Sequence, residues 1–140
     1  MSFNLASFGL NGRRALITGS GKGIGLALAR GLGAAGATVV INDRNMDKAR
    51  RVASQLIDEG LNAEFAVFDV TDRAQLFEAI NTFEAETGPI DILLNNAGVQ
   101  RRAPLEDFTA QDWHELMRVN LDGVFHVSQA VARHMIARGR

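Results

Sequence analysis

A chain of 140 residues, 46% hydrophobic and 22% charged, has room for one domain with its own core. Its net charge of −1 gives no reason to expect nucleic acid or a membrane as a partner, and the absence of cysteine excludes thiol catalysis, disulfides and thiolate metal sites. Met1-Ser2-Phe3-Asn4 opens no secretory leader and no apolar run is long enough to span a membrane, so a cytoplasmic location is expected.

Residues 1–12 read as a lead-in, with a turn at Asn11-Gly12. A first strand is predicted over Arg13 to Ile17 and a first helix from Gly23 to Ala35, closed by Gly36-Ala37. Thr38 to Asn42 is β-branched and suits a buried strand. Asn45 is placed to cap a second helix carrying Ala49, Val52, Ala53, Leu56 and Ile57 at helical spacing, stopped by Gly60. Ala63 to Phe68 forms the third strand. Thr71 is expected to cap a third helix with Leu76, Phe77, Ile80 and Phe83 on its apolar side, ending near Gly88-Pro89. Ile90 to Leu94 is the fourth strand.

After a loop holding Pro104, Thr109 reads as the N-cap of a long helix, with Phe108 and Trp113 at staple spacing. Trp113, Met117, Val124, Val127, Val131 and Met135 form one apolar stripe, and Arg138-Gly139 resembles a helix end. Asn120 falls on that stripe, where a polar group needs partners as a structural bridge or a functional group. Strands alternating with helices predict an α/β fold: a doubly wound, Rossmann-type parallel sheet in the order 3-2-1-4. Four strands leave one side of strand four open, so residues 1–140 are expected to be half of a larger domain.

The chemistry centres on Thr18-Gly19-Ser20-Gly21-Lys22-Gly23-Ile24-Gly25, a glycine-rich turn between the first strand and the first helix. Glycines there let the backbone approach a pyrophosphate, which free N–H groups and the helix dipole then favour. Asp43 ends strand two, twenty-four residues after Gly19, where a carboxylate can accept ribose hydroxyls of NAD. Arg44 and Lys22 instead suit the 2′-phosphate of NADP, so both cofactors stay open; Asp43-Arg44 alone would be a polar turn. Asp69-Val70 can meet an adenine edge and cover its ring. Asn95-Asn96-Ala97-Gly98 offers small residues that admit a cofactor and amides that tie strand ends together. His114, His126 and His134 lack metal-ligand spacing, and no metal site is expected.

Together Thr18-Gly19-x-x-x-Gly23-x-Gly25, Asp69, Asn95 to Gly98 and Asn120 resemble the classical short-chain dehydrogenases/reductases over Leu10 to Arg140. Leu16 to Ser20, Ile41 to Asp43, Asn95 to Arg102 and Val127 to Met135 narrow the likeness to members acting on a sugar acid or polyol. The resemblance implies hydride transfer between a nicotinamide and a carbonyl or alcohol carbon. It implies cofactor contacts from Gly19, Ser20, Lys22, Gly23, Ile24, Gly25, Asp43, Arg44, Asp69, Val70, Asn96, Ala97 and Gly98. Asn120 would be the asparagine of a proton relay whose serine, tyrosine and lysine are expected beyond residue 140; the sequence has no tyrosine, and its lysines are Lys22 and Lys48. Arg101 and Arg102 either hold a substrate carboxylate or form a solvated basic pair. The long helix is expected at a dimer or tetramer interface of the full-length protein. The rival expectation is a truncated, non-catalytic fragment that binds a nucleotide or associates with a partner.

Overall fold

The apolar runs form four short parallel strands: β1 (Arg14–Ile17), β2 (Thr38–Asp43), β3 (Ala63–Val67) and β4 (Ile92–Leu94), in the spatial order β3-β2-β1-β4. A computed structural model describes residues 8–139; the start of the lead-in, with Met1 to Asn4, and the terminal Arg140 lie outside the described residues. The register places Leu16 beside Val40 on one side and Leu93 on the other, while Ile41 pairs with Phe65. Helices α1 (Gly23–Ala34), α2 (Met46–Asp58), α3 (Arg73–Glu86), α4 (Ala110–Met117) and α5 (Gly123–Arg138) complete the fold. No helix among the described residues is long and apolar enough to cross a membrane.

Successive strand side chains point to opposite faces, and here both faces are buried, as a parallel sheet requires. Ala15, Ile17, Val39 and Ile41 pack with Ala29, Val52, Ala53 and Leu56 of α1 and α2. Leu16, Val40 and Ala66 pack with Leu76, Ile80 and Phe83 of α3 and Val127, Ala130 and Val131 of α5. Each layer is thus fixed by the parity of the strand residues. The result is the predicted doubly wound order.

Local chemistry sets the element ends. Asn45 accepts from the Lys48 backbone N–H at 2.9 Å and Thr109 from that of Asp112 at 3.0 Å, so both are N-caps. Thr71 is not. Asp72 caps α3 by accepting from Gln75 N–H at 3.0 Å, because Thr71 donates both its N–H and its hydroxyl to Asp69 Oδ1 at 2.8 Å. Strand β4 begins at Ile92: the Ile90 N–H is taken by Glu84 Oε1 at 2.8 Å before ladder pairing starts. Ile57 is 54% exposed, one position off the buried face of α2.

The long helix also departs from a single stripe. Between α4 and α5 lies a π-helical turn, Arg118–Asp122, in which the Gly123 N–H donates to Arg118 O five residues back. The wider turn rotates the following residues out of the α-helical phase. Val127 and Val131 are buried, but Trp113 remains 53% exposed, and Asn120 is exposed instead of on an inward seam.

On the outer surface, Arg30 donates to both Glu59 oxygens at 2.8 Å, which with Gln55 lowers the Glu59 carboxyl to about 2. A folded-state value below the ordinary 4.5 means stability present above that pH and lost as pH falls toward 2. The pair is solvent-screened, so its effect is small. Glu59→Gln should therefore shrink the loss of urea midpoint between neutral and acid solution. An identical acid loss in both proteins would show that the pair contributes nothing.

Candidate functional site

The C-terminal ends of the strands are joined by side chains, and that joint shapes the site. Asn42, buried at the end of β2, donates through Nδ2 to the carbonyls of Ala66 and Phe68 at 3.2 Å each. Its Oδ1 accepts from the Gly19 N–H at 3.1 Å. Thr18 Oγ1 accepts from the N–H groups of Asn96 and Ala97, both at 3.0 Å. Asn96 returns its Nδ2 to the Thr18 and Gly19 carbonyls at 2.9 and 3.3 Å. All four strand ends are connected by these amides and one hydroxyl. Thr18 was expected as the first residue of the glycine-turn motif, without a contact of its own, and Asn42 was not expected in the site; its signal was a lone polar residue closing Val39-Val40-Ile41.

Two glycines are forced by this joint. Gly19 has φ +63°, and a Cβ there would lie 2.9 Å from Ala97 Cα. At Gly25 a Cβ would lie 2.5 Å from Asn96 Nδ2 and 2.8 Å from Gly19 O. The turn is packed against the loop after β4, leaving no room for a side chain. Ser20 is spent inside the joint: its hydroxyl donates to Ile17 O at 2.7 Å and accepts from Asn42 N–H at 3.0 Å. It does not line the cleft that the other turn residues border.

That cleft holds about 600 Å³ and runs along the strand ends. It gathers Gly19 and Lys22 to Gly25, Asp43-Arg44, Asp69-Val70 and Asn96 to Gly98, together with Arg101. At one wall, α1 begins at Gly23 behind Lys22, which supplies no side-chain cap, whereas α2, α3 and α4 are each capped by Asn45, Asp72 and Thr109. The first N–H groups of α1 are thus left to whatever enters the cleft. The residues fit a phosphate group there.

The charged groups divide into paired and open. Burial raises the Asp43 carboxyl, but the Lys48 ammonium at 2.5 Å and the Asn45 N–H at 3.0 Å outweigh it and hold the group below its ordinary value. Burial likewise raises Asp69, and the two Thr71 bonds, with Arg44 and Arg118 nearby, bring it below the ordinary value. Arg44 is 81% exposed and reaches only to 3.8 Å from Asp69. Arg101 enters the cleft already paired, 2.6 Å from Glu115 and 3.3 Å from Asp112. Arg102 is exposed and outside the cleft, so the expected basic pair does not present two open guanidiniums at one point.

Asn120 stands on the π turn and grips the loop: Oδ1 accepts from Val99 N–H and Nδ2 donates to Val99 O, both at 2.9 Å. Its oxygen lies 3.2 Å from where a Gly98 Cβ would be. Asn95 donates to Ser128 Oγ at 2.9 Å, a second tie between this loop and α5. These contacts fix the height of the loop over the strand ends.

A glycine turn over an uncapped helix start, acid groups after β2 and β3, and an asparagine-held loop after β4 occupy one cleft. The chain belongs to the short-chain dehydrogenase family, whose profile matches residues 13–140. Among its relatives it resembles the gluconate 5-dehydrogenases. It is 55% identical over 133 residues to the gluconate 5-dehydrogenase of Gluconobacter oxydans (strain 621H), covering 95% of this chain and 52% of that protein. It is 47% identical over 131 residues to the 5-keto-D-gluconate 5-reductase of Escherichia coli (strain K12), covering 94% and 52%. The crystal structure of a gluconate 5-dehydrogenase from Burkholderia cenocepacia J2315, in complex with NADP and tartrate, superposes with a TM-score of 0.95 at 67% identity, covering 97% and 53%. The chain spans about half the length of these relatives.

Asn42→Leu keeps the branched outline of the side chain, with bulkier methyl groups in place of the amide, and strands two carbonyls and one N–H in a buried setting. Unpaired groups of this kind cost about 1–3 kcal/mol each where no relaxation rescues them. The variant should lose about 2–4 kcal/mol overall, read as a fall in the urea midpoint. A midpoint equal to wild type would mean that the amide joint does not hold the strand ends.

Proposed function

We propose that the chain is the dinucleotide-binding half of an NAD(P)-dependent oxidoreductase, which in full-length form interconverts D-gluconate and 5-keto-D-gluconate. The observation that carries this is the uncapped start of α1 beside Gly23, which opens on the cleft, whereas α2, α3 and α4 each have a side-chain cap. The substrate assignment is supported by likeness to a gluconate 5-dehydrogenase and a 5-keto-D-gluconate 5-reductase.

Gly19 and Lys22 to Gly25 would hold the pyrophosphate, through backbone N–H groups and the helix dipole. Asp43, Arg44, Asp69 and Val70 would border the adenosine end. Asn96, Ala97 and Gly98 would border the nicotinamide end, where the cofactor supplies a hydride acceptor or donor. Asn120 would act by position: its two bonds to Val99 hold the loop that borders that end. Arg101 can meet a substrate carboxylate only in exchange for Glu115 or Asp112, and Arg102 only by moving toward the cleft. Leu121, Phe125 and Ile136 are exposed along the long helix, which supports pairing of full-length copies through it.

The family's general acid is a tyrosine assisted by a lysine, and this sequence has no tyrosine. That favours the second reading for the 140 residues taken alone: nucleotide binding or partner association without turnover. Calorimetry with NADP⁺ and NAD⁺, and nicotinamide absorbance with D-gluconate, test both. Saturable binding without turnover is the expected outcome. Saturable turnover would overturn the placement of the acid outside this chain, and failure to bind either nucleotide would overturn the dinucleotide site.

A further inference from the structure

Asp43 stands where a carboxylate would accept ribose hydroxyls, yet both of its oxygens are engaged. Oδ1 accepts from the Asn45 N–H at 3.0 Å, and Oδ2 is paired with Lys48 Nζ at 2.5 Å. The carboxylate is only 13% exposed. The pair lies flush against the glycine turn, where a Cβ on Gly21 would collide with Asp43 Oδ2 and approach Lys48 Cε within 2.9 Å. Gly21 does not have a left-handed φ, so what is used there is the missing side chain and not backbone freedom.

The position of Lys48 is costly by local rules. It is the third residue of α2, whose Asn45 cap accepts from the Lys48 backbone N–H. Glutamate or glutamine completes a capping box at that position, and a cation in the first turn opposes the helix dipole. A residue that breaks a local preference at the rim of a binding cleft signals a compensating role there. With Asp43 cancelled, the charges left at this end of the cleft are Lys22, which has no ion pair among the described residues, and Arg44, which is 81% exposed and only loosely paired, 3.8 Å from Asp69.

We propose that Lys48 sets a preference for a 2′-phosphorylated dinucleotide by neutralising Asp43, leaving Arg44 and Lys22 to meet the phosphate. The inference rests on the dinucleotide-binding reading above and adds a specificity-determining residue to it. Lys48 acts through Asp43; it is a positioning residue and need not touch the phosphate. Freed of Lys48, Asp43 would repel a 2′-phosphate and accept ribose hydroxyls, so the same cleft would turn toward NAD.

The test is calorimetric titration of the 140-residue chain with NADP⁺ and with NAD⁺, alongside thermal melts to confirm folding. Wild type should bind NADP⁺ more tightly. Lys48→Met should cut the ratio of the two affinities by about tenfold or more, the order expected for one uncompensated charge near a phosphate. The double variant Asp43→Asn with Lys48→Met should return the ratio to within about threefold of wild type. Should Lys48→Met not fold, Lys48→Gln is read by the same criterion; its backbone N–H still meets the Asn45 cap.

A ratio unmoved by loss of Lys48 overturns the proposal, as does a double variant that stays as low as the single, which would mark Lys48 as a direct phosphate ligand. A wild-type preference for NAD⁺ overturns it too. Binding of neither nucleotide by the wild-type chain instead removes the dinucleotide-binding reading itself, so the two failures are distinguishable.

Discussion

The Asn42 side chain is the constraint on which the site depends. Parallel strands end in carbonyls and N–H groups that point past the last ladder bond, and buried groups of this kind must find partners. One amide meets three of them on two neighbouring elements, β3 and the glycine turn. Thr18 and Asn96 continue the same work across to β4. The strand ends are therefore held in a common frame, and the frame's outer side is the cleft floor.

From that frame the glycine requirement follows. A turn drawn against the Asn96-Ala97 loop by shared bonds has no space for a Cβ at Gly19 or Gly25. The same closeness commits Ser20 to internal bonding, so the hydroxyl that looks available in sequence is consumed by the fold. What is left facing the cleft is backbone: the uncapped first turn of α1. Electrostatic character at the cleft then comes from a few side chains at its rim, and pairing decides which of them count. Asp43 and Arg101 are held by Lys48, Asp112 and Glu115, whereas Arg44 and Lys22 extend toward solvent.

The second determinant is the π turn. Asn120 stands in the middle of the widened turn at Arg118–Asp122, exposed, with its amide on the Val99 backbone. Gly123, next in line, lies close on Val70, where an added Cβ would fall 3.0 Å from Val70 Cγ2. One irregular turn thus connects the loop after β4 with the segment after β3.

Much of this was written in the residues. Strand parity, helical spacing, the Asn45 and Thr109 caps and the glycine turn are local patterns, governed by backbone geometry and burial within a few neighbours, and they determined the elements, the sheet order and the family. What pattern and spacing could not decide was how the polar side chains would be spent. Thr71 lost the cap to Asp72 because Asp69 claimed it, Ser20 went to the strand joint, Arg101 to two carboxylates, and Lys48 to Asp43. The Asn42 N–H reaches Ser20 only across the packed sheet, and Arg101 reaches its carboxylates only where α4 folds back on the loop after β4. Thr71 and Lys48 pair within five residues, and there the turn leaving the strand sets which group arrives first. The π turn belongs with these: its register is set by what Asn120 and Gly123 meet, not by the periodicity of the helix itself.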